Sequence, residues 1–164
     1  THTFNAMSGL HHRDPGPIGE AISNGNIAMG LIADGAHVSP NMISLLNKMA
    51  SGQLFLVSDA VSPYGLTDGQ YIWDHKPIFV DQGISRLANG TLAGATLPLL
   101  EAAIKMAQWT RDPSTAIWAA TISPRLYLGR SRDDLAHILG KPLQNLIRWH
   151  LDSDDYHLSW YRAV

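Results

Sequence analysis

Ile27-Ala28-Met29-Gly30-Leu31-Ile32-Ala33 is an apolar run that breaks directly into Asp34-Gly35-Ala36-His37, and Leu54-Phe55-Leu56-Val57 does the same into Ser58-Asp59-Ala60. Runs this short and this continuously apolar suit parallel strands covered on both faces, because a strand with one wet face alternates instead. Thr1-His2-Thr3-Phe4-Asn5-Ala6 reads as a third such strand, clipped at its start. Helix signals lie between and beyond the runs. Ser39-Pro40 supplies a cap and a proline at the first helical position, after which Met42, Leu45, Leu46 and Met49 recur at helical spacing. Thr96-Leu97-Pro98 starts a second helix, with Glu101 near its positive end and Leu100, Ile104 and Ala107 on one face. Asp112-Pro113 caps a third, expected to run to about residue 120. Strand, loop, helix, repeated, is the grammar of an α/β fold built on βα units.

The middle and the end of the chain follow a different pattern. Residues 71–80 and 83–87 carry Trp, Ile, Phe and Val broken by Asp81-Gln82-Gly83, which is antiparallel hairpin material. Residues 145–151 and 156–164 flank Asp152-Ser153-Asp154-Asp155 and are expected to form a terminal hairpin. Closely spaced Gly and Ala in Asn89-Gly90-Thr91-Leu92-Ala93-Gly94 read as a turn leading to a helix start. No internal repeat or low-complexity segment interrupts this order.

Composition narrows the chemistry. The chain has 164 residues, 12 Lys plus Arg against 14 Asp plus Glu, and is 45% hydrophobic and 16% charged, enough apolar material for a core and too much for a disordered segment. A net charge of −2 gives no reason to expect a nucleic-acid or membrane-surface partner. No apolar run approaches the roughly 18 residues of a membrane span, and no charged-then-apolar leader is recognisable, so a cytoplasmic location is expected. With no Cys there is neither a thiolate metal site nor a cysteine nucleophile. The chemistry must use His, Asp, hydroxyls and backbone.

Polar residues immediately after parallel strands have the strongest claim to function, because α/β active sites sit at the strands' C-terminal ends. His2, His37 and Asp59 hold such positions. Either histidine could offer a neutral imidazole nitrogen to a metal, or be a hydrogen-bonded rim residue. Asp59, following four apolar residues, is expected to be poorly solvated, which suits a general base or a carboxylate held by backbone amides. In His11-His12-Arg13-Asp14-Pro15-Gly16 the planar fork of Arg13 suits a phosphate, although the stretch also reads as a plain surface loop.

Five ordered blocks carry a resemblance. Thr1-His2-Thr3-Phe4-Asn5-Ala6-Met7, His12-Arg13-Asp14-Pro15-Gly16, Ile32-Ala33-Asp34-Gly35-Ala36-His37-Val38, Leu56-Val57-Ser58-Asp59-Ala60 and Gly90-Thr91-Leu92-Ala93-Gly94 together resemble the C-terminal part of the N-acetylglucosamine-6-phosphate deacetylases, within the amidohydrolase superfamily. The likeness fades beyond Ser123-Pro124-Arg125 and Leu128-Gly129, and Gly140-Lys141-Pro142-Leu143-Gln144-Asn145-Leu146 departs from the family pattern.

The resemblance implies the last strands and helices of a (β/α)₈ barrel of the TIM type over residues 1–140, with a β-hairpin insertion near 70–88, and a small β appendage over 141–164. It implies metal-dependent hydrolysis of the acetamide of N-acetylglucosamine 6-phosphate, giving glucosamine 6-phosphate and acetate, in a homodimer or larger assembly. His2 matches a ligand of a divalent metal of the zinc or iron type, and Asp59 matches the catalytic carboxylate. Asn5 and Ala6 match positions that hold the sugar phosphate. Arg13 matches a phosphate-binding Arg that the family can lend to a neighbouring subunit, and His37 matches a substrate-contacting His. Leu92, Ala93 and Gly94 match a backbone segment lining the substrate.

In the family a Glu and a further His complete the metal site from earlier strands, and neither Glu20 nor Glu101 stands in a matching context. The chain is therefore expected to be a fragment that alone neither holds the metal tightly nor turns over substrate. The competing reading is a non-catalytic α/β domain that binds a sugar phosphate through Arg13 and the glycine-rich loops.

Overall fold

In the computed structural model, which describes residues 1–131, 133 and 142–163, the two apolar runs lie side by side as parallel strands. β1 (Met29–Leu31) is buried along its length and pairs with β2 (Leu54–Leu56) in the register Met29 to Leu54, Gly30 to Phe55 and Leu31 to Leu56. Both strands are shorter than the apolar runs that contain them. The chain connects them through α2 (Pro40–Ala50), which Pro40 enters at the first helical position.

α2 buries a different stripe from the expected one. Ile43, Leu46, Asn47 and Ala50 face inward, while Leu45 and Met49 are 41% and 49% exposed. Apolar residues fall on both faces of this helix, so positions 42, 45, 46, 49 and positions 43, 46, 47, 50, the latter with Asn47 as its one polar member, both follow helical periodicity. Packing selects the second stripe, because it meets β1, β2 and the helices that follow.

Those helices are α3 (Leu99–Thr110) and α4 (Pro113–Tyr127). Leu31, Ile43, Leu54, Met106, Ala107 and Ala116 are fully buried members of one core joining the strands to all three helices. The Asp112 carboxylate caps α4 by accepting from the Thr115 N–H at 3.0 Å, as its sequence suggested. α4 runs past residue 120 because Pro124 does not end it: the buried Ser123 Oγ donates to the Leu54 carbonyl at 2.7 Å and ties this turn to β2. A further helix, α1 (Gly16–Asn24), buries Ile18 and Ala21 and had no clear signal in its Gly- and Pro-containing sequence.

Residues 1–6 do not form a strand. The chain turns there, with φ of 40° at His2, 75° at Phe4 and 53° at Ala6, and the Asn5 N–H donates to the His2 carbonyl at 2.8 Å. Short polar side chains that bond their own backbone compete with a ladder. Here the His2 ring bonds the Asn5 carbonyl and the Asn5 amide bonds the Thr3 carbonyl. One bond, from the Thr3 N–H to the Gly30 carbonyl at 2.7 Å, ties this turn to β1.

The expected antiparallel material forms a four-stranded sheet, β3 (Gly69–Trp73), β4 (Lys76–Asp81), β5 (Ile84–Leu87) and β6 (Leu92–Ala95), in sequential order. Residues 92–95 are thus a strand and not a helix start, pairing Ile84 with Ala95 and Arg86 with Leu92. Val61, Ile78 and Ala93 form a second small core beneath this sheet. The terminal hairpin is present as β7 (Ile147–Leu151) and β8 (Leu158–Arg162), and Leu158 is buried in the main core. The expected boundary at residues 140 and 141 lies outside the described residues. The whole is a mixed α/β fold. Among the described residues no helix is long and apolar enough to cross a membrane.

Candidate active site

β1 and β2 run parallel, so the segments leaving their C-terminal ends start from one edge of the pair, and the Val57 N–H donates to the Leu31 carbonyl at 3.0 Å to prolong the pairing. The first segment carries His37 and the second carries Asp59.

Asp34 organises the turn that carries His37. Its Oδ1 accepts the backbone N–H groups of Ala36 at 2.8 Å and His37 at 2.9 Å, and its Oδ2 accepts from the His37 ring Nδ1 at 2.7 Å. Burial pushes the Asp34 carboxyl up, but the hydrogen bonds from the His37 ring, the His37 and Ala36 amides and the charge of His37 outweigh it, and the net shift is downward from 3.8. Asp34 was not singled out from the sequence. The Asp-Gly-x-His spacing, which lets one carboxylate reach amides two and three residues on, was the available signal.

Asp112 follows the same electrostatic pattern. Burial raises it, the bonds from Thr115 and Asn47 lower it, and the net shift is again downward from 3.8. In the folded protein both groups hold their protons less tightly than in the unfolded chain, so the stability they contribute is present above about pH 3.8 and is lost as pH falls through their lowered values. Denaturant unfolding of the wild type and Asp112→Asn from neutral pH to about pH 2.5 checks this. The difference between them is expected to shrink below pH 3.8, and a constant difference would contradict the linkage.

His2 is half-buried in the N-terminal turn, and its Nδ1 donates to the Asn5 carbonyl at 2.9 Å. That bond fixes the ring and leaves Nε2 with its lone pair, the arrangement of a metal-ligating histidine. His2 therefore fits a metal as one donor. Among the described residues no group of three His, Cys, Asp or Glu side chains comes together around it or elsewhere, so the described residues do not make a complete metal site. Asn5 and Ala6 sit in the same turn, with the Asn5 amide donating to the Thr3 carbonyl at 3.2 Å and Ala6 exposed.

Arg13 is exposed at the reverse turn closed by the mutual backbone bonds of His11 and Asp14, each 3.2 Å. Its guanidinium donates to His12 Nε2 at 2.7 Å. Among the described residues it meets none of the other expected site residues.

Asp59 is exposed and not poorly solvated as expected, because burial along its strand falls away from Leu56 through half-buried Val57 and Ser58. Its backbone is left-handed, with φ of 48°, a conformation that costs a non-glycine residue energy and clusters at functional sites. The Asp59 carbonyl accepts the Ala95 N–H at 2.8 Å, and the Val61 N–H donates to the Ala95 carbonyl at 3.1 Å, so β6 runs alongside this segment. Asp59 shares a cleft of about 300 Å³ with Leu92, Ala93 and Gly94, and Trp73 and Leu87 complete much of its wall. The close approach needs Gly94: its φ is +93°, and a Cβ there would lie 2.6 Å from Val61 Cγ1 and 2.9 Å from the Asp59 carbonyl oxygen. A larger cavity of about 520 Å³ between α3, α4 and β7 holds none of the expected site residues.

Polar side chains set beyond parallel strands, with a carboxylate beside a glycine-containing strand, stand where α/β proteins carry their functional sites. Over 129 residues the chain is 35% identical to the N-acetylglucosamine-6-phosphate deacetylase of Vibrio furnissii, covering 78% of this chain and 32% of that protein. It is 37% identical to the putative N-acetylgalactosamine-6-phosphate deacetylase of Escherichia coli K12, covering 78% of this chain and 77% of that protein. The solved structure of N-acetylglucosamine-6-phosphate deacetylase from Thermotoga maritima superposes with a TM-score of 0.74 at 32% identity, over 78% of this chain and 36% of that one. No protein-family model matches. The chain belongs to the N-acetylglucosamine-6-phosphate deacetylase family. It spans about a third of the length of the Vibrio and Thermotoga relatives.

Proposed function

We propose that this chain forms part of a deacetylase that hydrolyses the acetamide of N-acetylglucosamine 6-phosphate to glucosamine 6-phosphate and acetate. The observation that carries the reading is the Asp59 carboxylate, unpartnered among the described residues, in one cleft with Leu92, Ala93 and Gly94. In this reading β1 and β2 are late strands of a (β/α)₈ barrel, residues 1–140 belong to it apart from the hairpin insertion, and residues 141–164 form the β appendage.

Asp59 is the general base and then the general acid. Its carboxylate accepts a proton from the attacking water, and the same proton passes to the amine nitrogen, which leaves poorly until protonated. Backbone of Leu92, Ala93 and Gly94 lines the sugar beside Asp59. Asn5, Ala6 and Arg13 hold the phosphate, and the Arg13 fork supplies remote binding energy that fixes the acetamide in place. Arg13 bonds His12 and does not line the Asp59 cleft, which fits a guanidinium lent to a neighbouring subunit of a homodimer or larger assembly.

His2 would hold a divalent metal through Nε2, together with ligands that the described residues do not supply. When bound, such an ion lowers the pKa of its water and polarises the acetyl carbonyl. The activity is accordingly assigned to the whole protein.

Acetate release by the whole protein from N-acetylglucosamine 6-phosphate and from its galacto epimer tests the reading. Faster release from the gluco substrate, with an Arg13→Ala variant raising KM by about tenfold or more through loss of a charge-assisted bond, is the expected result. Tight binding of the sugar phosphate with no acetate formed would favour the non-catalytic binding domain instead.

A further inference from the structure

The Asp34 carboxylate accepts three hydrogen bonds, all from the second and third residues after it. Oδ1 takes the Ala36 and His37 amides, and Oδ2 takes the His37 ring, at 2.7 to 2.9 Å. The two side chains are nearly buried, at 12% and 5% exposure. The turn is also braced from outside. Lys105 on α3 donates its ammonium to the Asp34 carbonyl at 3.0 Å, and the ring of Trp109, one turn further on, lies so close to Gly35 that a Cβ there would approach it at 3.0 Å. Gly35 has φ of +88°, which allows the chain to fold back beneath the carboxylate. A ring held this way has one orientation, and its Nδ1 carries a proton, because an ionised carboxylate only accepts. Among the described residues Nε2 has no hydrogen-bond partner.

We propose that Asp34 is a positioning residue, which fixes His37 as the Nδ1–H tautomer so that Nε2 stands as an acceptor for a hydroxyl group of the sugar. This rests on the functional reading for the identity of the ligand, and on the structure alone for the tautomer. The acceptor role requires the neutral ring. A neutral imidazole with Nδ1–H can take a proton donor at Nε2, and a sugar ring offers several hydroxyl donors, whereas the opposite tautomer would present N–H to them. An orienting partner behind a histidine of this kind commonly matters as much as the histidine's own contact.

Asp34→Asn separates orientation from folding. The Asn carbonyl still accepts the Ala36 and His37 amides, while its NH₂ group faces the ring and requires Nδ1 to become the acceptor. Ring nitrogen NMR of His37 in the wild type is expected to report Nδ1–H, and in Asp34→Asn to report Nε2–H, with thermal unfolding of both showing an intact fold. N-acetylglucosamine 6-phosphate is then titrated into each protein, and the variant is expected to bind about tenfold more weakly, the effect of a mismatched buried hydrogen bond. A proton on Nε2 in the wild type, in the opposite tautomer or in the imidazolium, overturns the proposal without any variant being needed. So does an unchanged tautomer in Asp34→Asn, or a switched tautomer with unchanged affinity. If the wild type shows the expected tautomer but takes up no sugar phosphate, the functional reading fails, and the tautomer switch alone decides the role of Asp34.

Discussion

Asp59→Asn in the whole protein is expected to lower the rate of acetate release from N-acetylglucosamine 6-phosphate by roughly 10²- to 10⁴-fold, the range that a positioned acid–base group supplies. The substitution keeps size and hydrogen-bonding capacity but removes the group that takes and returns the proton. Exposure makes it a clean test. Asp59 lies outside the core, and its backbone bond to Ala95 does not involve the side chain. The fold should therefore survive, with KM close to that of the wild type. A rate within a few fold of wild type, measured as acetate formed per active site, would remove Asp59 from the mechanism.

Gly94→Ala is expected to have the second largest effect, on stability and activity together. The new methyl group would overlap Val61 Cγ1 at 2.6 Å and the Asp59 carbonyl oxygen at 2.9 Å, and it would occupy a residue whose φ is +93°. Overpacking of this kind costs about 1–3 kcal/mol and a left-handed non-glycine backbone about as much again. One of the two obstructing atoms is backbone, so relief requires β6 to move away from the Asp59 segment. That movement would open the cleft that Asp59 shares with Leu92 and Ala93. A lowered denaturation midpoint accompanied by loss of activity well beyond the unfolded fraction is the expected outcome; a fully active, equally stable variant would show that the close approach is not needed.

The parallel pair was legible because residues 29–31 and 54–56 lie within unbroken apolar runs, and burial on both faces is what produces such runs. Hairpins were legible from their turns. Gln82 with Gly83, left-handed at φ of 49° and 73°, sit at the expected Asp81-Gln82-Gly83 break, whereas the turn at Asp74 and His75, with φ of 48° and 61°, divides the 71–80 stretch that was read as one arm. Residues 1–6 misled because Thr-His-Thr-Phe has strand composition, while the decisive interactions are local bonds from the His2 and Asn5 side chains to the carbonyls of Asn5 and Thr3. The helix face of α2 and the strand at 92–95 were not legible for another reason. Both are chosen by partners distant in the chain, α3 in one case and the Asp59–Val61 segment in the other.

The candidate site divides similarly. Position relative to the strands singled out His2, His37 and Asp59, and the ordered blocks added Asn5, Ala6, Arg13 and the 92–94 segment. Solvation did not follow from sequence: the apolar run before Asp59 suggested a shielded carboxylate, yet exposure depends on where the chain turns, and it turns outward after Leu56. Asp34 was overlooked because a carboxylate beside a glycine reads as turn chemistry. Only the 2.7 Å contact with the His37 ring shows that the same turn also orients an imidazole.

A crystal structure of the whole protein with N-acetylglucosamine 6-phosphate bound, using the Asp59→Asn variant to keep the substrate intact, tests the central claim most directly. The expected result places the acetamide within hydrogen-bond reach of residue 59, the sugar along Leu92 to Gly94, and a divalent metal on His2 Nε2. A sugar phosphate bound away from residue 59, with His2 free of metal, would contradict it.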